Sequence, residues 1–199
     1  MTQTAYLIDD DEAIRDSLSW LLESRGVACL AYSSAEAFLA AWTPALAGCI
    51  LLDIRMGGMS GPELFALLQD RGSRLPVIFL TGHGDVPMAV TALKNGAFDF
   101  VEKPCNDNEL VDRVVEALKR DATQRAAASS ADSVNSRLAS LTAREKQVME
   151  QILAGKLNKI IADDLQISMR TVEVHRSNLL EKMGVRTAVE LAQRLTSKR

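Results

Sequence analysis

Gly48-Cys49-Ile50-Leu51-Leu52-Asp53-Ile54-Arg55-Met56 is the stretch whose reading decides the fold of this 199-residue chain. Cys49 to Leu52 is an apolar, partly branched run of strand length that ends on a carboxylate. Gly57, Gly58 and Gly61 follow, where the backbone has to turn sharply. A buried strand that delivers Asp53 at its carboxyl end puts that side chain where open α/β sheets hold their ligands. Taken alone, Asp53 reads more readily as a strand end that starts a turn. The neighbouring strand ends decide between the two.

Outward from this stretch, strands and helices alternate. Residues 5–8, 27–32, 49–52, 77–80 and 98–102 are short apolar runs. Between them lie helical patterns. Residues 12–24 place Ile14, Leu18, Leu21 and Leu22 on one face, with Gly26 as the stop. Ser33-Ser34-Ala35-Glu36 is a capping-box sequence for a helix reaching about residue 41. Pro62 opens a helix to residue 70, residues 86–95 form another that Gly96 ends, and a fifth begins near Asn106 and passes Lys119. Five strands alternating with five helices predict a parallel sheet covered by helices on both faces.

In such a sheet the carboxyl ends share one edge. Strand one ends in Asp9-Asp10-Asp11, strand three in Asp53, strand four in Thr81, and strand five runs into Lys103-Pro104. Carboxylates brought that close are costly unless a cation sits between them. Hard oxygen ligands with an incomplete shell suit Mg²⁺, which binds through a few carboxylates plus a phosphate. Each element also has a plain reading: a solvated acidic run before a helix N-terminus, a turn hydroxyl, a surface lysine. Their coincidence at successive ends of one sheet favours a site.

The motifs I-D-D-D around residue 9, L-L-D-I-R-M at 51–56, F-L-T-G-H-G-D at 79–85 and V-E-K-P at 101–104 resemble those of a two-component response-regulator receiver domain. The resemblance spans residues 3–120 and implies a flavodoxin-like (βα)5 fold with strand order 2-1-3-4-5. It implies that Asp53 accepts a phosphoryl group from a sensor histidine kinase. It further implies that Asp9, Asp10, Asp53 and the backbone carbonyl of Arg55 hold Mg²⁺ or Mn²⁺, and that Thr81 and Lys103 bind the phosphoryl oxygens. Phe100 stands at the switch-aromatic position, and the Lys103–Pro104 peptide is expected to be cis. Phosphoryl transfer needs mainly positioning and charge neutralisation, which such a site supplies. Two departures stand out. Gly57 replaces the proline usual in such chains, so the loop beyond Asp53 is expected to be more mobile. Asp11 adds a third acid, which is left out of the metal shell. Arg55 and His83, two residues beyond Asp53 and Thr81, are candidates for setting the lifetime of the phosphorylated form.

Composition adds a second domain. The chain is 47% hydrophobic and 25% charged, ordinary for a globular protein. No apolar run has membrane-spanning length, no basic-apolar leader opens it, and Cys29, Cys49 and Cys105 have no metal-type spacing. A cytoplasmic protein without a membrane partner is expected. Residues 1–120 carry seven more acids than bases, whereas residues 121–199 carry four more bases than acids, which points to two domains with different partners. The predicted boundaries are 1–121, a linker over 122–138, and 139–199. The linker is rich in Ala and Ser without Pro or Gly, so a helical extension and a flexible tether both remain open.

The rear segment reads as all-helical. Thr142-Ala143-Arg144-Glu145 and Thr187-Ala188-Val189-Glu190 are capping boxes, Gly155 and Gly184 are helix stops, and Leu165 to Ser168 is a tight turn. Two short helices across such a turn suggest a helix-turn-helix. On the third helix, Val172, His175, Leu179 and Met183 share one face, which makes His175 a packing residue. Arg170, Val174 and Ser177 lie opposite, flanked by Glu173 and Arg176. Val174 among polar neighbours suits a thymine methyl, and Glu173 suits a cytosine amine. Arg176, Lys159 and Lys182 suit phosphates.

L-T-A-R-E at 141–145, Gly155, Asn158-Lys159, Ile161-Ala162, T-V-E-V-H-R at 171–176 and Lys182-Met183 resemble the LuxR-type DNA-binding domain. With the receiver, the chain is similar to the NarL/FixJ regulators. The resemblance adds Thr171 to the DNA contacts and implies a homodimer, formed on phosphorylation, that binds promoter DNA and activates transcription. Val189, Ala192 and Leu195 of the last helix, and Val90, Lys94 and Asp99 of the receiver, are the expected pairing residues. No enzymatic turnover beyond the receiver's own phosphoryl transfer is expected. A metal-dependent phosphatase with an Asp nucleophile is a competing reading, opposed by the missing cap domain and the rear helices. A phosphorylation-independent DNA-binding protein is another, opposed by the full acceptor set.

Overall fold

The computed structural model describes residues 3–82 and 86–196; His83 lies outside them. The first unit, Met1–Arg125, is built on a sheet of β1 (Thr4–Ile8), β2 (Ala28–Tyr32), β3 (Gly48–Asp53), β4 (Val77–Thr81) and β5 (Asp99–Glu102). Its order is β2-β1-β3-β4-β5 and every pairing is parallel. The helices α1 (Glu12–Ser24), α2 (Ala35–Ala41), α3 (Gly61–Asp70), α4 (Val86–Lys94) and α5 (Asp107–Ala139) connect and cover it. This is the flavodoxin-like fold expected from the alternating pattern.

The strand period of two divides each strand between two cores. Ala5, Leu7, Cys49, Leu51, Ile78 and Leu80 point to the side covered by α1 and α5. Tyr6, Ile8, Ile50, Leu52, Val77 and Phe79 point to the side of α2, α3 and α4. All six residues of β3 are buried, so its sequence is apolar without alternation. Gly48 opens β3 at φ +138°, and the Thr4 backbone carbonyl occupies the space a Cβ would need. That close approach admits only glycine.

Local signals placed most boundaries, and two capping boxes form differently from their sequences. Ser34, not Ser33, caps α2 and accepts from Ala37 N–H at 3.1 Å. The Glu36 carboxylate keeps its own backbone N–H and the Ser34 side chain as partners at the helix start, and it also accepts from Met59 N–H at 3.0 Å. At the last helix Thr187 accepts from Glu190 N–H at 3.1 Å, but the Glu190 carboxylate reaches Arg186 N–H at 2.8 Å. The box at Thr142 and Glu145 forms in both directions, at 2.8 and 3.2 Å. The stretch 122–138, whose conformation the sequence left open, is helical as part of α5.

The second unit, Ala126–Arg199, contains the end of α5, α6 (Ala143–Leu153), α7 (Asn158–Leu165), α8 (Met169–Met183) and α9 (Ala188–Thr196). Val148, Ile152, Ile161, Val172, Leu179, Met183 and Leu191 form its core, with Val134 from α5. The α7–α8 turn passes through Gln166 in the left-handed region at φ 53°, the only such non-glycine among the described residues. A side chain there costs on the order of 1 kcal/mol, a strain the packing on either side sustains.

Candidate functional site

The strand order reverses between β1 and β3, because the chain goes from β1 to β2 on one side and returns to β3 on the other. Crevices outside the strand ends at such a switch point hold the ligands of open α/β sheets. The chemistry lies there. Asp9 follows β1, Asp53 ends β3, Thr81 ends β4, and Lys103 follows β5. Lys103 Nζ bridges Asp9 Oδ2 at 2.6 Å and Asp53 Oδ1 at 2.7 Å. Asp9, Asp53 and Thr81 are 1%, 7% and 0% exposed.

Asp9, Asp10 and Asp53 each offer a carboxylate oxygen within 4.8 Å of the others. Asp10 stays exposed beside the two buried acids. Three carboxylates against one lysine leave excess negative charge, and oxygen donors in that number fit a hard divalent cation that keeps several waters. Asp11 turns away to cap α1, accepting from Ala13 N–H at 2.8 Å. Burial pushes the Asp53 carboxyl above the ordinary carboxylate range, against the lowering influence of Lys103. The Lys103 ammonium loses stability to burial, yet its bonds to Asp53 and Asp9 prevail and raise it.

Thr81 Oγ1 is buried at the same edge with no hydrogen-bond partner among the described residues. An orphaned hydroxyl is costly to bury, and here it sits on the strand next to Asp53. Phe100 packs half-buried against the core on the α4 side, level with Phe79 of β4. The Lys103–Pro104 peptide is cis. Val90 and Lys94 are exposed on α4, while Asp99 is engaged by Arg113 of α5 at 3.0 Å.

In the second unit the exposed face of α8 carries Arg170, Glu173, Val174 and Ser177, with Val174 52% exposed. Thr171 and Arg176 are half-buried on its flanks, and Arg176 donates to Asn158 Oδ1 at 3.2 Å. Lys159 is exposed at the start of α7. His175 is half-buried, as packing requires. Lys182 departs from its expected place. Its ammonium meets both oxygens of Glu145, at 2.7 and 2.9 Å, and Glu145 is 3% exposed. It therefore ties α8 to α6 instead of presenting a free charge. On α9, Val189 is 66% exposed, Ala192 is half-buried, and Leu195 packs against the core.

Sequence reading missed three groups. Glu36 holds the loop after β3. Glu145 is a buried acid inside a capping box. Asp121, 1% exposed, accepts from Gly48 N–H at 2.9 Å and from Arg125. Each depends on a partner distant in sequence, so periodicity carries no sign of it.

Residues 5–115 match the family model described as the response regulator receiver domain, and residues 139–195 match that of the bacterial regulatory proteins, luxR family. The chain is 51% identical over 195 residues to the C4-dicarboxylate transport transcriptional regulatory protein DctR of Rhodobacter capsulatus, covering 97% of this chain and 99% of that one. It is 48% identical over 188 residues to the transcriptional regulatory protein FixJ of Azorhizobium caulinodans, with 94% and 89% covered. Among solved structures, the response regulator StyR matches with a TM-score of 0.93 at 38% identity, over 98% of this chain and 99% of that one. Among the described residues no helix is long and apolar enough to cross a membrane.

Proposed function

This chain belongs to the two-component response regulators, joining a receiver domain to a LuxR-type DNA-binding domain and regulating transcription, and on that premise we propose that Asp53 is its phosphoacceptor. The observation that carries the reading is Lys103 bridging Asp9 and Asp53, at 2.6 and 2.7 Å, beside the orphaned Thr81 hydroxyl. An Asp53 carboxylate oxygen attacks the phosphorus of a kinase phosphohistidine. The P–N bond breaks, an acyl phosphate forms, and the imidazole leaves. Lys103 stays on the aspartate side and pairs with a phosphoryl oxygen, and Thr81 Oγ1 donates to another. Asp9, Asp10, Asp53 and the Arg55 carbonyl would hold Mg²⁺, or Mn²⁺, which would supply charge neutralisation for the transferring group.

With Thr81 drawn to the phosphoryl group, Phe100 repacks behind it and changes the surface of α4 and β5. Receivers then pair through Val90, Lys94 and Asp99, the last after leaving Arg113. The DNA-binding domains pair through α9, with Val189 and Ala192 at the seam and Leu195 supporting it from the core. Paired domains gain affinity for a two-fold promoter site and activate transcription in the cytoplasm. Arg170, Thr171, Glu173, Val174 and Ser177 face the groove, and Lys159 and Arg176 meet phosphates. Lys182 is withdrawn from that set because Glu145 holds its ammonium.

The test incubates wild type and Asp53→Asn with acetyl phosphate and Mg²⁺ and measures acyl phosphate by intact mass. The variant should stay unmodified and monomeric while the wild type gains phosphate and dimerises. Phosphorylation of the variant at the wild-type level refutes the assignment.

A further inference from the structure

The loop after Asp53 was expected to be loose because Gly57 stands where similar chains carry proline. Four of its backbone donors are engaged by carboxylates. Arg55 N–H donates to Asp53 Oδ2 at 3.1 Å, and Gly57 N–H donates to Asp10 Oδ2 at 2.9 Å. Met59 N–H donates to Glu36 Oε1 at 3.0 Å, and Ser60 N–H donates to Glu63 Oε2 at 2.8 Å. Gly58, at φ +85°, lets Glu36 approach, since a Cβ there would lie 3.0 Å from Glu36 Oε1.

The bond to Asp10 is the informative one. Asp9 and Asp53 are buried and held by Lys103. Asp10 is exposed, and a carboxylate on the surface samples several rotamers unless something orients it. A neutral amide orients it without cancelling its charge, whereas a lysine would compete with a cation. Proline has no N–H, so this contact exists only because residue 57 is not proline.

We propose that Gly57 is a positioning residue of the acceptor site: its N–H fixes Asp10 through Oδ2 and leaves the other carboxylate oxygen for the divalent cation. The proposal rests on reading Asp10 as a metal ligand, and the experiment separates the two.

Full-length wild type, Gly57→Pro, Gly57→Ala and Asp10→Ala are titrated with Mg²⁺ alone by calorimetry, without any phosphodonor. Asp10→Ala should lose most of its affinity; if it binds Mg²⁺ like wild type, the metal reading fails and this one with it. Gly57→Pro should bind about tenfold more weakly, the lower end of what losing an outer-shell partner costs. Gly57→Ala keeps the N–H, and its Cβ would lie 3.9 Å from Asp10 Oδ2, so its affinity should stay within about twofold of wild type, well short of that outer-shell loss. Wild-type affinity in Gly57→Pro, or an equal loss in Gly57→Ala, overturns the proposal. Should the proline variant not fold, amide exchange at Gly57 decides the matter. Exchange should accelerate about tenfold in Asp10→Ala, as expected when a bond of about 1.4 kcal/mol is lost, and an unchanged rate overturns the proposal.

Discussion

Lys103→Met removes the one cation among the described residues that bridges Asp9 and Asp53, at 2.6 and 2.7 Å. The two carboxylates are 1% and 7% exposed, so water makes a poor replacement for the lost ammonium. Breaking a buried pair by removing one partner costs about 3–5 kcal/mol. The lysine side chain is itself 22% exposed, and screening through that opening lowers the expected cost to about 2–4 kcal/mol. For a domain of this size the receiver transition should fall by about 10 °C at pH 7 in chelator. The pH dependence follows from the same charges. Burial already raises the Asp53 carboxyl, and Lys103 opposes it. Without Lys103 it rises further, so the folded state binds a proton more tightly than the unfolded chain. The resulting penalty is absent below the unfolded carboxylate pKa of about 4. It grows as pH rises through the folded value, so acidification narrows the gap to wild type. Calorimetry of the full chain at pH 7, 6 and 5, with and without Mg²⁺, reads this directly, and Mg²⁺ should also narrow the gap. A deficit under about 2 °C at pH 7, less than 1 kcal/mol, refutes the reasoning, as does a deficit that widens as pH falls from 7 to 5.

Three other outcomes follow from the second unit. Leu179 is fully buried, so Leu179→Ala should cost about 3–5 kcal/mol and abolish DNA binding at 37 °C, with melting and gel shift as the measurements. Val174 is 52% exposed, so Val174→Ala should leave stability within about 0.5 kcal/mol. It should weaken operator binding by about 1–2 kcal/mol, read by footprinting on the chain's own upstream DNA. Equal loss of specific and non-specific binding would contradict a base contact. Lys182 holds the Glu145 carboxyl below its ordinary value, the opposite direction from Asp53. This contribution is complete above the unfolded glutamate pKa of about 4.3 and is lost as pH falls below it. Glu145→Gln should therefore flatten the acid melting profile of this unit while lowering its stability at pH 7, and an unchanged profile assigns the acid sensitivity elsewhere.

The amino-acid sequence alone determined the sheet, its two coverings and the residues at its edge, because strand period, glycine stops and strand-end chemistry are local signals. Asp9, Asp53, Thr81 and Lys103 each end or follow an apolar run, and a parallel sheet brings such ends together whatever the side-chain details. The exposed face of α8 was legible for the same reason: a helix repeats every 3.6 residues, and Val174 falls outside the buried stripe. Tertiary structure alone decided which partner each long or acidic side chain takes. Lys182 meets Glu145, Glu36 reaches Met59 besides its own helix start, and Asp10 meets Gly57. The members of these pairs are 37, 23 and 47 residues apart. Their formation depends on distances that no local pattern encodes, because a bond to a carboxylate forms only where the fold holds donor and acceptor within reach.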